Sequence, residues 1–422
     1  MDSTDDEVVI LASTVVLLSC AVKKIKRRRN REVWVKGWIG ERENHGAYNS
    51  LLLDRTFLND KYDYRDFMRM DCQTFHTLLE KIRPYITKKT TNMRTPIPAE
   101  DKLACTLHFL ATGNSFKSMT FLFRIHHTTM AKFVPIVCWY IYQVLKDEYL
   151  AMPSCETFSH WQFPNGILAV DGKHINITNP PGGGSAFYNY KGFFSIVLMA
   201  LVTYDYKILY HDVGCQGRIS DGGVWANSKF NEFLTAGKLK LPSARQLPKQ
   251  ADPMWGPIWN NKNIPFVIVG DNAFPLTEHI MKPFPNKGLD DQKRIFNYRL
   301  SRFQRVSENA FGIWSNRFRL FRTTIQLPPD TVAVITQASV ALHNMLCTKS
   351  RDSYTPPGFA DEVTPEGDVI PGKWREDPDD LIPLESHRSG NNSKRSAEKV
   401  REDLAEYFMG PGQVEWQWKT LV

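Results

Sequence analysis

Two aspartates stand directly after apolar runs: Asp171 closes Ile167-Leu168-Ala169-Val170, and Asp271 follows Val267-Ile268-Val269-Gly270. Desolvating an uncompensated carboxylate costs several kcal/mol, so each emerges at the carboxyl end of a strand or holds a cation. Taken singly, such an aspartate more often caps a turn or the next helix. A third carboxylate changes that balance. Projected at ~100° per residue, residues 289–311 place Ile295, Phe296, Leu300, Phe303, Val306, Ala310 and Phe311 on one face. The opposite face carries Arg294, Tyr298, Ser301, Arg305 and Glu308, and only Arg299 breaks the segregation. A helix docked by its apolar side can turn its border, and Glu308 with it, toward the strand ends. Three carboxylates converging without an intervening Lys repel one another, which raises a pKa unless a divalent cation neutralises them. Oxygen-only ligands select Mg²⁺ or Mn²⁺. A pair of such ions ~3.5–4 Å apart serves phosphodiester displacement by activating the attacking oxygen and stabilising the leaving one.

The elements that must carry these groups follow from periodicity. Residues 166–177, 193–204 and 206–213 read as strands, the last two joined by a tight turn around Asp205, and residues 265–270 read as a buried strand. Helical patterns fall at 223–236, 289–311 and 329–346. This order predicts a mixed α/β sheet covered by helices. Upstream, residues 34–150 are helical: 99–111 closed by Gly113, a second helix capped by Ser115, and a third over 130–146 bent at Pro135. Two short helices and a turn before a longer one suit a helix-turn-helix, although any three-helix bundle gives the same pattern. The run Trp139-Tyr140-Ile141-Tyr142 fits a core better than a base contact. Residues 350–392 are Pro-rich and polar, a loose linker before a helix at 396–409 and a tail containing Trp416-Gln417-Trp418. The expected division is therefore 1–33, 34–150, 151–349 and 350–422.

With 53 Lys and Arg against 45 Asp and Glu in 422 residues, the net charge of +8 leans only weakly toward a polyanionic partner. A hydrophobic share of 42% excludes wholesale disorder. Seven dispersed cysteines without a C-x-x-C pair disfavour disulfides and a zinc finger and fit a reducing compartment. Residues 8–22 are apolar but shorter than the ~17–25 needed to cross a bilayer, so a helix packed on the body or a partner is the expectation. The basic run at 23–31 suits nuclear import or a phosphate-contacting arm.

Several strings together carry a resemblance. Asp171-Gly172-Lys173-His174-Ile175, Tyr188-Asn189-Tyr190-Lys191-Gly192, Gly217 with Ser220-Asp221 and Ser228, and Gly270-Asp271-Asn272-Ala273-Phe274 form one group. Arg305-Val306-Ser307-Glu308-Asn309-Ala310-Phe311-Gly312, Leu342-His343-Asn344 and a tail through Tyr407-Phe408 to Trp416-Gln417 form another. In order and context, from about residue 166 to 418, these resemble the nuclease domain of PIF/Harbinger transposases and their domesticated relatives. The resemblance implies an RNase H-like fold and a DDE triad at Asp171, Asp271 and Glu308, spaced by 271 − 171 = 100 and 308 − 271 = 37 residues. On the expected mechanism Asp171 and Asp271 hold two Mg²⁺ or Mn²⁺ ions, with Asp171 bridging both and Glu308 completing the second site. The resemblance also implies nuclear action on double-stranded transposon ends and target DNA, with a Myb-like or MADF-type accessory protein.

Lys173, Lys191, Arg294 and Arg305 are the expected phosphate contacts. Synapsis of two DNA ends predicts a homo-oligomer on DNA, joined through residues 8–22. The alternative is a domesticated DNA- or chromatin-binding protein that keeps the fold without transposition. The glycines of residues 180–185 lack the Gly-Lys-Ser/Thr of a phosphate loop. His211-Asp212 has no nucleophile elbow beside it, and His174 and His343 read as packed polar residues before second-sphere donors.

Overall fold

An eleven-residue strand, β1 (Gly166–Asn176), anchors the sheet. β2 (Ser195–Val202) and β3 (Ile208–Gln216) follow it as an antiparallel meander. The turn between them is fixed by Thr203 Oγ1 donating to Asp205 Oδ1 at 2.6 Å, with Tyr206 at φ 66°. β4 (Val267–Val269) and β5 (Ile280–Met281) extend the sheet on the other side of β1, each parallel to its neighbour. The strand order is thus β3-β2-β1-β4-β5, and a two-residue strand β6 (Ile382–Pro383) pairs with the far end of β1 at Lys173 and His174. This computed structural model describes residues 35–54, 59–92, 95–151, 163–239, 241–247, 262–364, 366–376, 381–383 and 393–421. The apolar run at 8–22, the basic run at 23–31, Cys20 and Cys155 lie outside the described residues.

Upstream, α1 (Lys61–Met68) and α2 (Cys72–Ile86) precede α3 (Ala99–Thr112), α4 (Phe116–Phe123) and α5 (His127–Tyr149). The expected signals act as read: Gly113 closes α3 in the left-handed conformation, and Ser115 Oγ caps α4 by accepting from Ser118 N–H. α5 begins three residues earlier than its apolar pattern, because His126 Nδ1 accepts from Thr128 N–H and acts as its cap. Within the aromatic run only Ile141 is fully buried; Trp139 is 46% exposed.

Between β3 and β4, α6 (Asp221–Asn227) and α7 (Lys229–Thr235) divide one expected helix at Ser228, whose hydroxyl caps the second piece. Val224, Trp225 and Phe230 from this pair cover one face of the sheet with Leu168, Val170 and Met199. The other face receives α8 (Asp291–Arg317): Ile295, Phe296, Leu300 and Phe303 pack with Ala169, Val267 and Val269, then Val306, Ala310 and Phe311 with Ile175. α8 runs six residues past the predicted end. α9 (Pro329–Lys349) binds the helical region to the sheet through Asn344. Its Oδ1 accepts from Ile208 N–H, and its Nδ2 donates to the carbonyls of Ile208 and Tyr149, at 2.8–2.9 Å.

The tail does not hang free where it is described. α10 (Arg395–Met409) packs Leu404, Ala405 and Phe408 against α8. Arg299, the one residue that broke the helix's segregation, is buried with its guanidinium 4.2 Å from the Phe408 ring centre and Nη1 donating to the Gly412 carbonyl. Trp374 lies across α8 at Gly312, where an added Cβ would meet its indole at 2.1 Å. The aromatic residues Tyr354, Phe359 and Trp374 are thus core residues inside a stretch whose composition reads as linker.

Candidate active site

The parallel pairing of β1 and β4 sets Ala169 opposite Val269. Asp171 and Asp271 each lie two residues beyond that pair, under α8; the expectation of two strand ends holds for Asp271 alone, because β1 runs on five residues past Asp171, still paired with β2. Asp171 Oδ1 accepts from the Gly172 N–H at 2.8 Å, and Oδ2 lies 3.4 Å from both Ser307 Oγ and Lys173 Nζ. Asp271 Oδ1 accepts from Ala273 N–H at 2.9 Å. Burial raises the Asp271 carboxyl to about 6, and the charge of Asp171 adds to that rise against the Ala273 bond, Lys173 and Lys282. Two acidic groups therefore share one desolvated corner.

The premise that no lysine intervenes is corrected here. Lys173 follows Asp171 by two residues, so strand alternation puts both on the α8 side. Its ammonium is buried, beside Asp171 and 5.6 Å from the Phe311 ring centre.

Glu308 sits one residue from Ser307, which lies 3.4 Å from Asp171, yet its carboxylate is engaged elsewhere. It is half exposed and accepts from Arg375 Nη2 at 3.1 Å. The same guanidinium grips Asp361, with Nε 2.8 Å from Oδ1 and Nη2 2.6 Å from Oδ2. Asp361 also accepts from Gly372 N–H at 2.9 Å and lies 4.0 Å from Arg305 Nε. Among the described residues no cluster of three or more His, Cys, Asp or Glu is placed to hold a metal. The structure brings Asp171 and Asp271 together and leaves Glu308 at their border.

The expected phosphate contacts scatter. Lys191 is exposed at the turn before β2, 5.6 Å from the Tyr190 ring centre. Arg294 is exposed in the first turns of α8, roughly 20 Å from Glu308 by helical rise. Arg305 faces Asp361 and Lys173 faces Asp171. His343 is fully buried, its nitrogens 2.8 Å from Tyr354 Oη and the Tyr206 carbonyl, which makes it a packing residue. His174 is likewise buried, with Nδ1 2.9 Å from Ser195 Oγ. Ser307, Lys282, Asp361 and Arg375 were not singled out from the sequence. Ser307 was legible from its place beside Glu308; the other three are joined to the site only by the fold.

The all-oxygen pair, with Asp271 raised by burial and further by its neighbour, fits a hard divalent cation. A profile of the DDE superfamily endonuclease family matches residues 170–344, which include Asp171, Asp271 and Glu308. The chain is 22% identical over 303 residues to Protein ALP1-like of Arabidopsis thaliana, covering 68% of this chain and 71% of that one. No solved structure matches it. Motifs, profile and relative point the same way: residues 170–344 match a DDE superfamily endonuclease domain, and the motifs resemble those of the Harbinger type.

Proposed function

We propose that this protein is a metal-dependent endonuclease and transposase that cuts the ends of a double-stranded DNA element and joins the freed 3′ hydroxyl to target DNA. The observation that carries this reading is the parallel register that sets Asp171, within β1, beside Asp271, just past the end of β4. An RNase H-like fold is supported by the order β3-β2-β1-β4-β5, an antiparallel meander followed by strands parallel to the first, with one acidic residue on β1 and one just past β4.

In this reading Asp171 and Asp271 hold Mg²⁺ or Mn²⁺, with Glu308 as the third carboxylate of the set. The bound cation would supply Lewis-acid stabilisation of charge developing on the phosphodiester. Ser307 Oγ donates to the Gln304 carbonyl at 2.7 Å and lies 3.4 Å from the Asp171 carboxylate on the helix side, and Lys173 and Lys282 temper the excess negative charge. The helices of residues 95–149 serve DNA-end recognition, in the nucleus, with a Myb-like or MADF-type partner and in an oligomer that synapses two ends.

The test is nicking of duplex DNA bearing the terminal inverted repeats that flank the gene, with Mn²⁺ or Mg²⁺. Asp171→Asn and Glu308→Gln are each expected to lower the rate at least about a hundredfold, the scale of losing several kcal/mol of metal-borne stabilisation. Undiminished nicking by either variant sinks the assignment. One observation favours a second reading, a DNA-binding protein without cleavage: Glu308 is engaged by Arg375. That reading predicts tight duplex binding and no nicking with either metal.

A further inference from the structure

Glu308 is held by a residue that has its own, stronger anchor. Arg375 makes a two-point fork to Asp361, whose side chain is 1% exposed, while its bond to Glu308 spans two groups that are 36% and 50% exposed. Exposed ion pairs contribute little, whereas a bidentate fork onto a buried carboxylate is firmly placed. The guanidinium therefore stays where it is if Glu308 leaves. Its position is set three more ways: Trp374 Nε1 donates to Asn309 Oδ1 at 2.7 Å, the Asp361 N–H donates to the same oxygen at 3.0 Å, and the Trp374 ring lies 4.3 Å under the guanidinium. Asn309 is the neighbour of Glu308, so the strap carrying Arg375 is docked beside the carboxylate it binds.

We infer that Arg375 is a positioning residue for the aspartate site: it keeps the Glu308 carboxylate away from Asp171 and Asp271 and yields it when a divalent cation competes. This rests on the reading of Asp171, Asp271 and Glu308 as one metal-holding set. α8 already brings residue 307 to Asp171, so the backbone carries Glu308 to the border of the site, and the side chain is what Arg375 retains.

The experiment is Mn²⁺ titration of the full chain, read as the electron paramagnetic resonance signal of free Mn²⁺. Arg375→Gln is expected to tighten binding about two- to fivefold, the scale of releasing an exposed ion pair. In a Glu308→Gln background the same substitution is expected to change nothing, because there is no carboxylate to release. Arg375→Lys keeps the charge beside Asp361 but cannot fork to both acids, so it should tighten binding in the Glu308 background alone and carries the test if the glutamine variant does not fold. Equal tightening with and without Glu308 overturns the proposal, since charge removal alone would explain it. Binding that needs Asp171 but is indifferent to both Arg375 variants also overturns it. Binding unaffected by Asp171→Asn overturns the metal-site reading itself, and the role of Arg375 with it.

Discussion

Asp361 and Asp271 are both carboxylates sheltered against α8, and they have opposite characters. Burial pushes each one up, but Asp361 is gripped by the Arg375 fork and the Gly372 N–H, which outweigh burial and hold it below the ordinary range. Asp271 has one backbone donor and an acidic neighbour, and it rises to about 6. Shelter therefore does not decide the state of an acid; the donors supplied by the chain do. A carboxylate saturated from within is a joint. One left short of donors beside another acid is where a ligand from outside is expected.

The largest effect belongs to the joint. Asp361→Ala strands the Arg375 guanidinium and the Gly372 N–H, and is expected to cost about 3 kcal/mol in urea unfolding, near the lower end for breaking a buried pair. A loss below about 1 kcal/mol would erase the contrast. Next comes Asp271, whose folded value of about 6 lies above its ordinary 3.8. Its stabilising contribution is complete below pH ~4 and is lost as pH rises through about 6. With chelator present, Asp271→Asn should raise stability at pH 8 by up to about 2 kcal/mol and leave it unchanged at pH 4, which urea midpoints at the two values check. The smallest effect sharpens the comparison. Lys173→Gln removes a charge that favours the ionised pair, so the midpoint of that pH slope should climb by about half a unit, roughly 0.7 kcal/mol, and should not move when Asp271 is already Asn.

How much of this was legible in the sequence depends on range. β1, β4 and their aspartates could be read because an apolar run ended by an acid is a local signal. α8 and the face bearing Glu308 were equally local. β5 was missed because two residues between His279 and Lys282 show no alternation. The Arg375–Glu308 contact spans 67 residues and crosses a Pro-rich stretch whose composition argues against fixed structure. Its aromatic residues, Tyr354, Phe359 and Trp374, were the overlooked signal; Arg299 stood out as the break in the helix's segregation, and a charge on an apolar helix face marks something docking there. Lys173 beside Asp171 needed only strand alternation, and the assumption that no lysine intervened concealed it.

Gly312 gives the strap its address. A glycine inside a helix costs about 1 kcal/mol relative to alanine, and at this position the missing carbon is the space the Trp374 indole occupies. Helix-forming preference and strap docking thus pull in opposite directions at one residue. Because Arg375 follows Trp374 directly in the chain, the partner of Glu308 is chosen by a hydrogen atom one turn further along the helix. A comparison of related chains confined to their acids and bases would pass over the position that aligns them.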